Sequence, residues 1–438
     1  MGVKRHFWLV LLLAIFAGGC KPPTGEQLVK TEAPPSETET SAAGATETIA
    51  TATATETPSP TEPPAEPPSQ AIATGPAPTI PGGASLDIAY IHMVDRDNGW
   101  AIGGIDRGQD RILYTQDGAL TFFDVTPPIG PELESGVEIW AVGAFLDNDS
   151  AVVLYFPAVM EPSPPGGARL VIWRTDDAGQ NWSHSPIIST SVLGTQNFPP
   201  RLHFINPQEG WFMARNGGAG MHRYPISLYR TQDGGATWQL LIDALGGSEL
   251  QSCRKTGWSF GDSLNGLATI DNCPVDGPAV ERTSDGGLIW GRVILSPPQE
   301  DPETVSSAYC ETFSPQFIDA NNLYLAASCT AYGDQQIERD VFYSSSNGGQ
   351  SWVGWDYPGG ELLFLDASHG FALSREIYWT ADAGVSWQLQ KTVNWDGQFS
   401  FADTDAGWAV ARNEGETALV KTDDRGKTWD IIEPILNP

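Results

Sequence analysis

TQDGGATW at residues 231–238 returns as TSDGGLIW at 283–290. A chain that repeats one short phrase is building one supersecondary unit repeatedly. Variants stand at 115–122 (TQDGALTF), 175–182 (TDDAGQNW), 345–352 (SSNGGQSW), 380–387 (TADAGVSW) and 422–429 (TDDRGKTW), seven copies in all. A second phrase, apolar-x-Asp with Gly four residues after the Asp, precedes each copy: MVDRDNGWAIGG, FLDNDSAVV, FINPQEGWFMA, FGDSLNGLAT, FIDANNLYLA, FLDASHGFAL and FADTDAGWAV. The two alternate strictly.

Each phrase reads as a hairpin. In the first, here turn A, Asp accepts from turn amides, Gly supplies a positive φ and the closing Trp or Phe packs where the chain re-enters a sheet. The second, turn B, feeds alternating strands such as WAIGG and WAVAR. Two hairpins per unit give four antiparallel strands. Seven such units without helical periodicity predict an all-β fold, a seven-bladed β-propeller over residues 86–438. Some copies depart from the pattern: Ala119 replaces the turn A Gly, Asn347 the turn A Asp, and Ala151 and Leu323 the turn B Gly. The first unit is complete by about Asp124 and the last by Pro434, so each blade is expected to use contiguous chain, with strand exchange at the seam left open.

S/T-x-D-x-G-x-x-W resembles the Asp-box, or bacterial neuraminidase repeat. Its alternation with F-x-D-x-x-x-G-W-A resembles, more narrowly, propellers of the photosystem II assembly-factor type and their bacterial lipoprotein relatives. The resemblance covers about residues 87–438. It implies that Asp117, Asp177, Asp233, Asp285, Asn347, Asp382 and Asp424 are fold elements at the blade periphery, not catalytic carboxylates.

Residues 1–20 have a signal-peptide layout: Lys4, Arg5 and His6, an apolar run from Phe7 to Phe16, then small residues before Cys20. AGGC resembles a lipobox, with Ala17 where Leu is usual. Cys20 is the expected lipid anchor of an exported chain on the outer side of a bacterial membrane; an ordinary signal peptide is the alternative. Residues 21–85 are rich in Pro, Thr, Ser, Ala and Glu with almost nothing to bury, which predicts a disordered tether. The formal charge is −30. The signal carries two positive charges and the tether a net six negative, which leaves −26 on residues 86–438. Nucleic acid is a poor partner for that charge.

Cys253 and Cys310 precede their turn B, and Cys273 and Cys329 follow it, each pair nearly symmetric about its hairpin. Of three possible connectivities this spacing favours Cys253–Cys273 and Cys310–Cys329, with free thiols as the alternative. Both repeated turns lie on one side of a blade. The connections between strands two and three, and from one blade to the next, lie on the other and vary in length, as recognition loops do. Trp355, Tyr357 and Trp395 fall in blade-to-blade connections, and His222, Arg223, Tyr224 and Tyr332 in two-to-three connections. These are the candidate ligand-binding residues, with rim packing as the alternative.

Catalytic signatures are missing. The chain has no H-E-x-x-H, G-x-S-x-G or phosphate-binding glycine loop, and few arginines for a sialidase triad. DTDAGWAVARNE mimics a calcium loop at Asp403, Asp405 and Glu414 but places Gly407 and Trp408 where a ligand and then Gly are required. No metal or cofactor is expected. The resulting expectation is a monomeric, non-catalytic propeller binding a protein, peptide or polysaccharide. A glycoside hydrolase of sialidase or xyloglucanase type and a membrane-complex assembly factor are the alternatives.

Overall fold

The computed structural model describes residues 74–106, 108–130, 138–157, 168–190, 199–215, 223–271, 273, 277–333 and 336–437. Cys20 and His222 lie outside them. The described chain forms seven four-stranded antiparallel blades. The first blade runs Asp87–Met93, Gly99–Gly104, Arg111–Thr115 and Thr121–Asp124, each strand bonded to the one before. The seventh runs Asp396–Phe401, Gly407–Asn413, Glu416–Thr422 and Asp430–Ile432. In each blade turn B joins strands one and two, and turn A joins three and four. First strands of neighbouring blades touch from the second blade through the sixth and again between the seventh and the first. The expected seven-bladed propeller is therefore the fold.

The core is divided among the blade interfaces. Seven buried clusters each combine residues of two successive blades, from Trp100 with Phe145 between the first and second to Trp408 with Ile91 between the seventh and first. Turn B builds these layers. Its Asp or Asn accepts from the backbone N–H groups two and three residues on in all seven copies, which closes the turn. Its leading Phe lies over the Gly six residues later: a Cβ on Gly210, Gly266 or Gly407 would sit 2.5–2.6 Å from the ring of Phe204, Phe260 or Phe401. The glycine is there for close approach, not for backbone freedom. Where Ala151 and Leu323 replace it, Phe145 lies against Gly143 and Phe317 against Gly261 instead. The Phe also meets the aromatic after the Gly of the preceding blade: Phe260 stacks on Trp211 at 3.8 Å, Phe401 on Phe371 at 3.9 Å and Phe364 on Tyr324 at 4.0 Å. Each such pair adds about 0.5–1.5 kcal/mol beyond burial.

Turn A contains two successive left-handed residues, where the sequence pattern suggests one. The fourth has φ of 56–78° and the fifth 73–102° in every copy. Ala178, Ala383 and Arg425 adopt this conformation at the fourth position and Ala119 at the fifth. The fourth N–H leaves the turn and donates to a turn B carbonyl of the same blade, from Gly118 to Asp97 through Arg425 to Asp405, at 2.7–3.0 Å seven times. The alternation of the two phrases thus has a physical cause, since they are bonded to each other.

Ring closure departs from the contiguous-blade expectation. Ile435–Leu436 adds a fifth strand, parallel to Thr121–Asp124, to the first blade. Gly83 donates to the Leu436 carbonyl at 2.9 Å and Leu436 to the Ala84 carbonyl at 2.8 Å, so both ends of the described chain grip this sheet. Ile80 and Leu86 are buried with it, so residues before 86 already belong to the packed domain. At the axis Gln398 brackets the Ile91 backbone at 2.8 and 3.0 Å, and Ser400 accepts from Met93 N–H at 2.9 Å. Two disulfides join Cys253 to Cys273 and Cys310 to Cys329, the second pair directly opposed in its ladder. Among the described residues no helix is long and apolar enough to cross a membrane.

Candidate ligand-recognition cleft

Residues five before a turn B Asp or Asn fall where an inner strand meets the variable-loop face; Tyr90, Arg201 and Glu361 occupy this position in blades one, three and six. They converge on an axial cleft of about 720 Å³, walled further by Asp110, Trp140, Trp258 and Arg412. Six of the seven blades contribute.

The cleft holds several charges at different depths: Asp110 is buried, Arg201 half-buried, and Glu361 and Arg412 exposed. Arg201 donates to the Thr256 carbonyl at 3.0 Å, and among the described residues it forms no ion pair. Burial pulls its pKa down, against the pull of Glu361. Arg215, at the end of the same blade's second strand, donates to the Lys255 carbonyl. Burial, and then the charges of Arg201 and Arg254, lower it to about 10. Glu361 is pushed up by burial, with Arg201 opposing. Asp110 rises to about 6 through burial, although one of its oxygens accepts from Ala141 N–H at 2.8 Å. Arg412 donates to the Ala89 carbonyl at 2.6 Å. The Trp140 indole N–H is buried without a partner among the described residues. His203 looks available for proton transfer, but its Nε2 contacts both the N–H and the carbonyl of Phe260, at 2.9 and 3.0 Å, and is occupied in joining two blades.

The residues singled out from sequence lie elsewhere. Trp355 stacks on Phe342 at 6.0 Å. Tyr357 is buried and donates to the Gly360 carbonyl at 3.0 Å. Trp395 packs on Phe399 and edge-on against Trp429. Arg223 bonds the Gly246 carbonyl and Gln251, Tyr224 N–H donates to the Gln251 carbonyl at 2.8 Å, and Tyr332 is exposed. None of these walls the cleft. The cleft is built from strand ends rather than variable loops, and the position five before turn B marks three of its residues in the sequence.

The turn A carboxylates are on the opposite face and engaged locally. Asp233 accepts from Thr231 Oγ1 and Thr237 N–H, both at 2.8 Å, and Asn347 does the same with Ser345 and Ser351 at 3.0 Å. Asp403, the calcium-loop mimic, accepts from Asp405 and Ala406 N–H at 2.8 Å and pairs with Arg96 at 2.6 Å. Among the described residues no group of three or more His, Cys, Asp or Glu is placed to hold a metal.

No family model and no curated protein matches the sequence. Similar solved structures include YCF48 from Cyanidioschyzon merolae, at 16% identity and TM-score 0.44, covering 81% of this chain and 100% of that one. A YCF48 bound to D1 peptide gives 16% and 0.46 over 80% and 99%. The polysaccharide lyase Uly1 gives 11% and 0.46 over 82% and 94%. At such identities and overlaps none of these assigns an activity to this chain.

Proposed function

We propose that the propeller is a non-catalytic recognition domain, exported and tethered through a lipid on Cys20, that binds a carboxylate-bearing peptide, protein segment or polysaccharide in the axial cleft. Arg201 carries the reading. A half-buried guanidinium loses hydration that one backbone carbonyl does not replace, and this one faces an open cleft with that carbonyl as its partner. A ligand carboxylate completes it in the bidentate geometry that guanidinium favours. Trp140 and Trp258 offer aromatic surface beside it, and the Trp140 N–H offers a donor.

The test is a glycan and peptide array probed with the full chain, with turnover followed by mass spectrometry. Binding without cleavage is expected, favouring uronates or free carboxyl termini over neutral or amidated counterparts, and lost in Arg201→Gln. Ligands that bind Arg201→Gln as well as wild type sink the reading. One observation favours glycoside hydrolysis as a second reading: two carboxylates, buried Asp110 and exposed Glu361, line one cleft, and both are shifted upward, as an acid catalyst needs to be. Turnover abolished by Glu361→Gln establishes it. An assembly role places a client segment in the same cleft, and the peptide half of the array addresses that.

A further inference from the structure

In six of the seven turn A copies the seventh residue is Thr, Ser or Asn, and its side chain bonds the turn's Asp or Asn at 2.6–2.8 Å: Thr121, Asn181, Thr237, Ser351, Ser386 and Thr428. The fourth blade has Ile289 there. Asp285 still accepts the backbone N–H groups of Leu288 and Ile289 at 3.1 and 3.0 Å, but the side-chain bond is gone. The substitution gains no burial in return, because Ile289 is 73% exposed. Leu288 beside it is 54% exposed, and Leu264, at the tip of the turn B bonded to this turn through Gly286 N–H, is 52% exposed. One blade tip therefore gives up a turn bond and shows three large aliphatic side chains to solvent. A local rule broken without a structural gain is the mark of a site kept for something else, and clustered exposed aliphatics mark a contact surface.

From this we infer that the fourth-blade tip is a docking surface for a protein partner that presents an aliphatic or aromatic side chain flanked by Lys or Arg. Charge decides the occupant. The domain carries −26, and the two turns of each blade set aspartates on this face; Asp262 and Asp285, at the tip itself, are both held below the usual carboxylate range by hydrogen bonds from the turns. The arginines nearby are already engaged, Arg230 with Glu209 and Arg282 with Asn265. A second copy of the chain brings the same negative surface and is repelled, as is an anionic membrane. A cationic amphipathic segment meets both the apolar tip and its acidic surround.

This surface lies opposite the axial cleft and is tested independently of it. The probe is a fluorescent amphipathic helix of leucine and lysine, titrated by anisotropy into the full chain as wild type, Ile289→Thr and Ile431→Thr. Ile431 is equally exposed, at 73%, on the outermost strand of the seventh blade. Ile289→Thr restores a hydroxyl able to bond Asp285, as five of the other six turns have, so it leaves the melting temperature unchanged or raises it. At least a tenfold weakening by Ile289→Thr, with no change for Ile431→Thr, supports the docking surface. Equal binding by all three chains overturns it by showing that only bulk charge attracts the peptide. A concentration-dependent dimer of the wild type that Ile289→Thr dissolves overturns it in favour of self-association, and so does Ile289-dependent binding to zwitterionic vesicles in favour of a lipid surface.

Discussion

Replacing Asp233 by Ala and by Asn separates a structural carboxylate from a reactive one. Its Oδ1 accepts from Thr231 Oγ1 and Thr237 N–H at 2.8 Å, and its Oδ2 from Thr237 Oγ1 at 2.6 Å. Thr231 is buried and itself accepts from Gly235 N–H at 2.8 Å, so losing Asp233 leaves a buried hydroxyl without an acceptor. That orphan costs about 1–3 kcal/mol, while water replaces the exposed partners at a few tenths each, giving about 2–3 kcal/mol for Asp233→Ala. With unfolding entropy near 2.1 cal/mol/K per residue over about 350 residues, the melting temperature should fall by about 3–4 °C. Asp233→Asn should cost under about 1 kcal/mol, because Asn347 already shows the amide solution: its Oδ1 keeps both acceptor bonds and its Nδ2 donates to Ser351 at 2.8 Å. Calorimetry at pH 7 reads both variants, and ligand binding should change in neither. If Asn costs as much as Ala, or if either variant loses binding at an unchanged melting temperature, the assignment of this carboxylate to the turn is refuted.

The glycines of turn A should not be equivalent. A Cβ on Gly235 would meet nothing closer than 3.5 Å, whereas one on Gly384 would strike the Phe342 ring. Gly235→Ala should therefore cost only the left-handed penalty of about 1–2 kcal/mol, and Gly384→Ala several kcal/mol, read by denaturant unfolding. Deleting residues 435–438 removes the fifth strand of the first blade and uncovers Phe122, which is fully buried. Hydrogen exchange should then rise in Thr121–Asp124 and leave the fourth blade protected. Asp110, raised to about 6 in the fold, penalises the folded state as pH climbs from its unfolded value near 4 through 6. Asp110→Asn, whose amide oxygen can still accept from Ala141, should be more stable than wild type at pH 7 and lose that advantage by pH 4.

The blade count, the four-strand unit and the disulfide pairing were legible because each is written locally. Turn chemistry fixes where hairpins fall, and a cysteine pair symmetric about a hairpin falls opposite itself whatever the rest of the chain does. Seven repetitions also make the topology redundant, so degenerate copies at Ala119, Ala151, Leu323 and Asn347 do not disturb it. The cleft was legible only in part: the position five before turn B marks three of its residues, but not that they meet. Trp355, Tyr357 and Trp395 have the residue types a ligand site uses, yet a tryptophan's surface is met equally well by Phe342 or Trp429 in a neighbouring strand.

Sequence by itself determined the propeller, because repeated turn phrases are local instructions whose geometry survives any ring size. Tertiary structure decided what the ring gathers. Tyr90, Arg201 and Glu361 lie up to 271 residues apart and meet only because inner strands converge on an axis. Burial there, not residue type, sets Asp110 near 6. Closure by Ile435–Leu436 is likewise invisible locally, since two apolar residues near a chain end carry no turn signal. Their partner strand is named only once the ring has brought the two ends of the domain together.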